Sequence, residues 1–293
     1  MRTISAVRTS IFLLAVAVVH AAPPRPAAPS ASIRVDVEAI QIPVTVTDSA
    51  GHPVQNLRKE DFHLSEGGLA QEIISLSSVD VPASVGVVFD ASASMARKIA
   101  PSAAAVEQFF QTTIPGDEFL LVRFNDQPHF VTGFTSQAAD ISGWLESTRP
   151  HGLTALHDAI YLGIQKMKPA RNNRKVLLVL SDGGDNNSSY SQRQLRRLVR
   201  EADVQIYSIT VYEGSRLLES ISEETGGRAY RVRRPAELPD TIEQLSRDVR
   251  SRHVLTYYSS NSRNDGKYRS VAVTVTNPAL RVTWRHGYYA PLE

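Results

Sequence analysis

The rhythm of apolar and polar positions changes twice along the chain and divides it into three regions. In residues 33–38 and 42–47 the apolar residues fall at every second position, the mark of a strand with one face on a core. Asp48-Ser49-Ala50-Gly51 reads as a turn. Residues 61–66 and 71–76 read as two further strands, joined through Gly67-Gly68. From residue 84 the rhythm becomes that of buried strands separated by helices. Residues 84–90 form an apolar run that closes on Asp90, and 95–114 predict a helix with Ile99, Ala103, Val106 and Phe110 on one face. Pro115-Gly116-Asp117 ends that helix. Residues 118–125 read as a strand with 127–132 as its hairpin partner, then 138–148 and 154–168 as helices, the second striped by Leu156, Ile160, Ile164 and Met167. Strands at 174–181, 204–211 and 229–232 alternate with helices at 191–202, 216–225 and 235–251.

This alternation predicts an α/β fold with a doubly wound, mostly parallel sheet. After residue 251 the β pattern returns at 253–258, 268–276 and 280–284, with Asn264-Asp265-Gly266 as a hairpin turn of the favoured kind. Neither β flank has enough strands to close a core alone. The expected architecture is therefore a β-sandwich made from the N-terminal flank (33–80) and the C-terminal flank (251–293), with the α/β domain (81–250) inserted between them. Two separate small β modules are the alternative.

The first residues follow a different logic. Arg2 and Arg8 precede an apolar run at 11–19, and Val19-His20-Ala21 supplies a small-residue cleavage pattern. Residues 1–22 read as a signal peptide, since the run falls short of the roughly 18 apolar residues a membrane span needs. An uncleaved anchor is the alternative. Residues 23–32, rich in Pro, Ala and Ser, read as a disordered linker. The chain contains no cysteine, which excludes disulfides, thiolate metal sites and cysteine nucleophiles. Export without cysteine suits a bacterial periplasmic or secreted protein, with no membrane span after signal cleavage. A hydrophobic fraction of 42% supports a packed core, and a net charge of +2 gives no reason to expect nucleic acid as a partner.

The candidate chemistry lies where the first α/β strand ends. Asp90-Ala91-Ser92-Ala93-Ser94 places a carboxylate and two hydroxyls at alternate positions of a tight loop, the hard oxygen donors a small divalent cation takes. The plainer reading is a strand end with Ser94 as a helix cap. In a parallel sheet all strands end on one edge, where ligands bind. The strand at 174–181 is followed by Asp182, so two carboxylates reach that edge, and they meet one ion if the two strands are neighbours. Thr154 opens a helix after His151-Gly152-Leu153 and adds a hydroxyl from a loop on the same edge.

With these residues assembled, the chain resembles a von Willebrand factor type A domain carrying a metal-ion-dependent adhesion site. The resemblance runs over roughly residues 81–250 and rests on Asp90-x-Ser92-x-Ser94, on Thr154 in Gly152-Leu153-Thr154, and on Asp182 in Ser181-Asp182-Gly183. In the flanks, Val44-Thr45-Val46-Thr47-Asp48, Lys59-Glu60-Asp61-Phe62 and Gly287-Tyr288-Tyr289-Ala290 resemble a group of bacterial secreted proteins related to that family. The resemblance implies Mg²⁺, with Mn²⁺ or Ca²⁺ as substitutes, held by Asp90, Ser92, Ser94, Thr154 and Asp182. It implies direct bonds from Ser92, Ser94 and, in some states, Thr154, with Asp90 and Asp182 acting largely through bound water. The implied partner is another protein that completes the ion with an Asp or Glu carboxylate. It also implies that the last helix, 235–251, can be coupled to the site.

Other residues carry two readings. Asp185 and Asn125 are candidates for a shell behind the ligands; as plainer alternatives they are a turn residue and a strand end, and Asp126 is weighed the same way. His151 and His157 lack the spacing of a metalloprotease pair and read as rim or packing residues. Arg193, Arg196, Arg197 and Arg200 read as a solvated helix face, with an anion-binding patch as the lesser alternative. Tyr257, Tyr258, Tyr288 and Tyr289 read as sandwich core and rim.

Three functions compete. The first is a cation-dependent protein-binding module of the adhesion type. The second is a structural envelope protein whose metal site is not essential. The third is a metal-dependent hydrolase. An aspartyl-phosphate enzyme would need an acid two residues after Asp90, where Ser92 stands, and no Gly-x-Ser-x-Gly elbow occurs in the chain. The chain is therefore not expected to be an enzyme.

Overall fold

A computed structural model describes residues 39–78 and 81–292. The signal peptide, the linker and the strand expected at 33–38 lie outside the described residues. The centre of the molecule is a six-stranded sheet in the order β10-β9-β8-β5-β6-β7. Its strands are β5 (Ala83–Asp90), β6 (Glu118–Phe124), β7 (Pro128–Thr135), β8 (Arg174–Ser181), β9 (Gln205–Val211) and β10 (Ala229–Val232). All pairings are parallel except the β6–β7 hairpin at one edge. Every residue of β5 and β9 is buried, which explains why these segments read as continuous apolar runs rather than alternating ones.

Helices cover both faces. On one side α1 (Ile99–Phe110), α2 (Ala138–Glu146) and α6 (Leu238–Arg250) pack against Val85, Val87 and Phe89 of β5 and their neighbours. On the other side α3 (Leu156–Lys166), α4 (Gln192–Glu201) and α5 (Arg216–Glu224) pack against Val88, Leu177 and Val179. The alternate residues of β5 thus feed two separate cores, as strand geometry requires.

The flanks form two four-stranded sheets around a third core. Their strands are β1 (Ala39–Thr47), β2 (Phe62–Glu66), β3 (Leu69–Gln71), β4 (Ile73–Ser77), β11 (His253–Tyr258), β12 (Tyr268–Val275), β13 (Arg281–Trp284) and β14 (Gly287–Tyr289). One sheet has the order β13-β1-β11-β4 and the other β14-β12-β2-β3. Both ends of the chain therefore contribute to both sheets, with the α/β unit inserted between them, and two independent β modules are ruled out. Ile42, Val44, Phe62, Leu64, Leu255, Tyr257, Val271 and Val273 meet in the interior. Glu66 sits among them with three hydroxyl donors: Tyr257 at 2.7 Å, Tyr288 at 2.9 Å and Ser259 at 2.7 Å. These donors satisfy a buried carboxylate and tie the N-terminal flank to the C-terminal one. Burial and the neighbouring Glu66 push the Tyr257 phenol upward, so it stays protonated and continues to donate.

Local structure departs from the sequence reading at four places. The helix expected at 95–114 is shorter: a 3₁₀ turn at Ala93–Met95 precedes it and α1 begins at Ile99. It ends at Phe110, where the Thr112 and Thr113 hydroxyls donate to the carbonyls of Phe109 and Phe110. The strand expected at 71–76 splits after Gln71, because β3 stays with β2 while β4 crosses to the other sheet. Asn264-Asp265-Gly266 does not close a hairpin. β11 and β12 lie in different sheets, and Asp265 instead forms a bridge with Leu292. Finally, β14 pairs with β12 through a three-residue strand that carries no periodic signal.

The end of the central sheet opposite the Asp90 edge is fixed by buried carboxylates. Asp117 accepts from the Ala83 N–H at 2.7 Å and the Ile114 N–H at 2.9 Å and pairs with Arg250 of α6. Glu118 accepts from Ser84 Oγ at 2.6 Å, the Arg171 N–H at 2.8 Å and Arg171 Nε at 2.7 Å. Burial pushes the Glu118 carboxyl up, but Ser84 and Arg171 outweigh it and hold the group below its ordinary 4.5. A depressed carboxyl stabilises the fold above its unfolded value and loses that contribution as pH falls through the folded one. Glu118→Gln is expected to cost about 1–3 kcal/mol in urea unfolding at neutral pH. The wild-type advantage should shrink as pH drops below 4.5; a difference that does not change with pH would assign the effect to packing.

Candidate cation site at the carboxyl edge

The parallel pairing of β5 with β8 brings the candidate residues to one edge. Phe89 lies opposite Leu180, so Asp90 and Ser181 are the next positions on two neighbouring strands and Asp182 follows. The adjacency that the strand periodicity left open is present. Asp90 is fully buried. Its Oδ1 accepts from the Ser92 N–H at 2.9 Å, and its Oδ2 accepts from Ser181 Oγ at 2.6 Å. The first bond folds the chain back after the strand and turns Ser92 toward Ser94, whose hydroxyl oxygens are 3.1 Å apart.

Asp182 closes the other side. Its Oδ2 accepts from Lys98 Nζ at 2.8 Å. Burial pushes the Asp182 carboxyl up, but the Lys98 ammonium and the Ser94 hydroxyl outweigh it and hold the group below its ordinary value. Asp90 goes the opposite way. Burial raises it above the usual carboxylate range, bonds from Ser181 and Ser92 offset part of the rise, and the Asp182 charge adds to it. Two carboxylates on one edge are thus held in different electrostatic states by their surroundings.

Thr154 reaches the edge on a separate loop, which is bonded to the Asp90 loop along its backbone. The Ala93 N–H donates to Gly152 O at 3.1 Å and the His151 N–H to Ala91 O at 3.0 Å. Gly152 has a φ of +74°, and a Cβ there would lie 2.1 Å from an oxygen of the Asp126 carboxylate, so glycine is required. Asp126 accepts from the Leu153 N–H at 2.9 Å. The Thr154 N–H donates to Asn186 Oδ1 at 2.8 Å, and the Thr154 carbonyl accepts from the N–H groups of Asn186 and Asn187. The backbone of Thr154 is therefore fixed on both sides, while its hydroxyl enters none of these bonds.

The remaining candidates stand around this centre. Asn125 Nδ2 meets His151 Nε2 at 2.8 Å, and the Asn125 carbonyl accepts from the Ala155 N–H. Asp185 accepts from the His157 N–H at 3.2 Å and the Ser188 hydroxyl at 2.5 Å, which places it at the start of α3. Four residues at the site were not singled out by sequence: Ser181, Lys98, Asn186 and Asn187. Ser181 was within reach, since parallel register places it beside Asp90. Lys98 was not, because a lysine early in an expected helix reads as solvated.

Among the described residues no cluster of three or more His, Cys, Asp or Glu is placed to hold a metal. The candidate donors are two carboxylates and three hydroxyls, an oxygen-only set of the kind that hard divalent cations take. Asp90, buried and bonded to Ser92 and Ser181, brings a carboxylate that suits the set to a cation. Ser181→Ala removes the hydroxyl donor from Asp90 Oδ2. In chelator it is expected to cost about 1–3 kcal/mol of stability by urea unfolding. Because a protonated Asp90 has less need of donors, the deficit should narrow as pH falls through the raised Asp90 value. An unchanged midpoint would show that Asp90 is compensated by other groups.

Comparison with known proteins agrees with the fold. A search of curated proteins gives no match. Among solved structures, proximal thread matrix protein 1 from the mussel byssus is similar at 21% identity and a TM-score of 0.51, covering 63% of this chain and 51% of that one. A second crystal form of it gives 22% identity and a TM-score of 0.50, covering 62% and 49%. The chain thus spans about half the length of the mussel protein. A von Willebrand factor type A protein from Catenulispora acidiphila is similar at 11% identity and a TM-score of 0.50, covering 89% of this chain and 75% of that one. At such identities the likeness is one of fold. The sequence profile of the von Willebrand factor type A domain matches residues 84–244. That match runs from the start of β5 into α6 and spans every residue of the carboxyl-edge site, and the chain belongs to the von Willebrand factor type A domain family.

Proposed function

We propose that this protein is a divalent-cation-dependent binding module that holds Mg²⁺ at the carboxyl edge of its central sheet and docks a carboxylate of a partner protein there. Domains of this family commonly serve protein–protein contact. The observation that carries the reading is the convergence of Asp90, Ser92, Ser94 and Asp182 on one edge, with the Thr154 loop bonded to them.

The ion would supply a hard positive centre able to accept one further oxygen from outside. The residues of the chain do the rest. Ser92, Ser94 and Thr154 offer neutral oxygens, which leave positive charge unquenched for an incoming anion. Asp90, locked by Ser92 and Ser181, supplies a fixed negative charge beneath them. Asp182 supplies a second, shared with Lys98. Leu153 is exposed beside Thr154 and leaves an apolar rim on the approach. The arrangement favours binding over turnover, because the position two residues after Asp90 is Ser92, whose hydroxyl meets Ser94 and cannot act as a carboxylic acid. Export to a bacterial periplasm or beyond is part of the proposal and rests on the sequence of residues 1–22. Among the described residues no helix is long and apolar enough to cross a membrane.

Titration calorimetry tests the site. Mg²⁺ is expected to bind the wild type and to bind Asp90→Ala and Thr154→Ala at least about tenfold more weakly, the scale on which removing a group from a metal site acts. Equal binding by all three would refute the assignment. Capture of partner proteins from envelope extracts is expected in Mg²⁺ and lost in chelator; recovery of the same proteins in both would refute the carboxylate mechanism.

A further inference from the structure

Lys98 stands inside the site rather than on the helix surface where its place in the sequence suggests. It follows the 3₁₀ turn Ala93–Met95, and its N–H donates to the Met95 carbonyl at 2.8 Å. This turn, not an α-helix, sets its direction. Its Nζ lies 2.8 Å from Asp182 Oδ2, and the two side chains are only 14% and 12% exposed. The ammonium also sits 5.3 Å from the centroid of the Tyr212 ring. Tyr212 follows β9 on the same edge. Among the described residues it is the only one other than glycine with a positive φ, at +76°. That backbone is costly for a residue with a Cβ. It is held by the bond from the Tyr212 N–H to Val232 O at 2.7 Å. A strained residue fixed in place beside a functional edge marks a position with a task. Here the ring faces an ammonium, an arrangement that retains a cation. Lys98 is thus held in a slot between a carboxylate on one side and an aromatic ring on the other.

We infer that Lys98 is the site's tethered cation. It holds Asp182, occupies part of the negative charge available to a metal, and so sets a threshold concentration for divalent-ion binding. The inference rests on the cation reading of the preceding subsection. Asp90 and Asp182 contribute two negative charges to the edge, and Lys98 cancels one. An arriving divalent ion must either displace the ammonium from Asp182 or accept it as a like-charged neighbour in a partly buried setting. Either course weakens binding. The same charge leaves the assembled site more positive and so better able to attract a partner's carboxylate. Lys98 is a positioning residue: it acts on the ion through Asp182.

Calorimetry on the full chain tests this with Mg²⁺ alone as the probe. Lys98→Met and Lys98→Gln both remove the charge, and Gln keeps a donor for Asp182, so the pair stays informative if the Met variant folds poorly. Both are expected to bind Mg²⁺ about tenfold more tightly than wild type, and Lys98→Arg, which keeps the charge, no more tightly than wild type. Thermal unfolding gives a second readout. The neutral variants should melt lower than wild type in chelator, where two carboxylates face each other without the ammonium, and should gain more than wild type when Mg²⁺ is added. Mg²⁺ binding that emerges only in the neutral variants would also support the inference. Unchanged or weaker Mg²⁺ binding in both neutral variants, with wild type binding normally, would overturn it and leave the site assignment standing. Absence of Mg²⁺ binding in wild type and in every variant would overturn the site assignment and the inference together.

Discussion

A carboxylate without solvent contact ends the middle strand of this protein, and much of the surrounding structure answers that fact. Asp90 is charged only at the expense of desolvation, and burial raises its proton affinity accordingly. Its two oxygens take a backbone N–H from Ser92 and a hydroxyl from Ser181. The first bond shapes the loop that carries Ser92 and Ser94. The second ties the loop to the neighbouring strand and fixes the point from which Asp182 departs. Removing the carboxylate would leave those donors without purpose; keeping it requires either a proton or a positive charge nearby.

The fold supplies the rigidity such a site needs. β5 is covered on both faces by helices and paired on both edges, so its last residue has little freedom. The Thr154 loop contributes from the next layer outward, anchored by backbone bonds to Ala91 and Ala93 and by the amides of Asn186 and Asn187. Polar groups at the edge are therefore carried by elements that are themselves locked, the condition for a pre-organised binding site. At the rim, Leu153 and Tyr212 present exposed apolar surface on separate loops.

The sequence was informative where local chemistry and tertiary position coincide. Apolar runs that end in Asp announce buried strands and also place the carboxylates, so the edge formed by Asp90 and Asp182 was legible. So was the sandwich, because neither flank can close alone. The missing parts have physical reasons. The Asn264-Asp265-Gly266 sequence suits a hairpin turn, yet distant pairings decide that its flanking strands belong to different sheets. β14 is too short to show a period, and Gly287 within it weakens any strand signal. Lys98 looks like a helix-surface residue until the 3₁₀ turn ahead of it redirects the side chain. Its pairing with Asp182 depends on a residue far along the chain, and so does the Tyr212 backbone, held by Val232.

The inserted unit leaves the sandwich at β4 and returns, through α6, at β11, and these two strands lie side by side with Ser77 opposite Val254. Both connections therefore leave from the same end of one antiparallel pair. In mechanical terms the insert hangs from a single two-strand stem. A pull applied at the carboxyl edge draws β4 and β11 in the same direction, so the ladder between them is carried along rather than peeled open. The load falls instead on the ladder between β11 and β1, and on lateral struts such as the ion pair of Arg285 with Asp203 and the bridge of Thr225 with Arg285. Tension applied at that edge is thus passed through many hydrogen bonds at once.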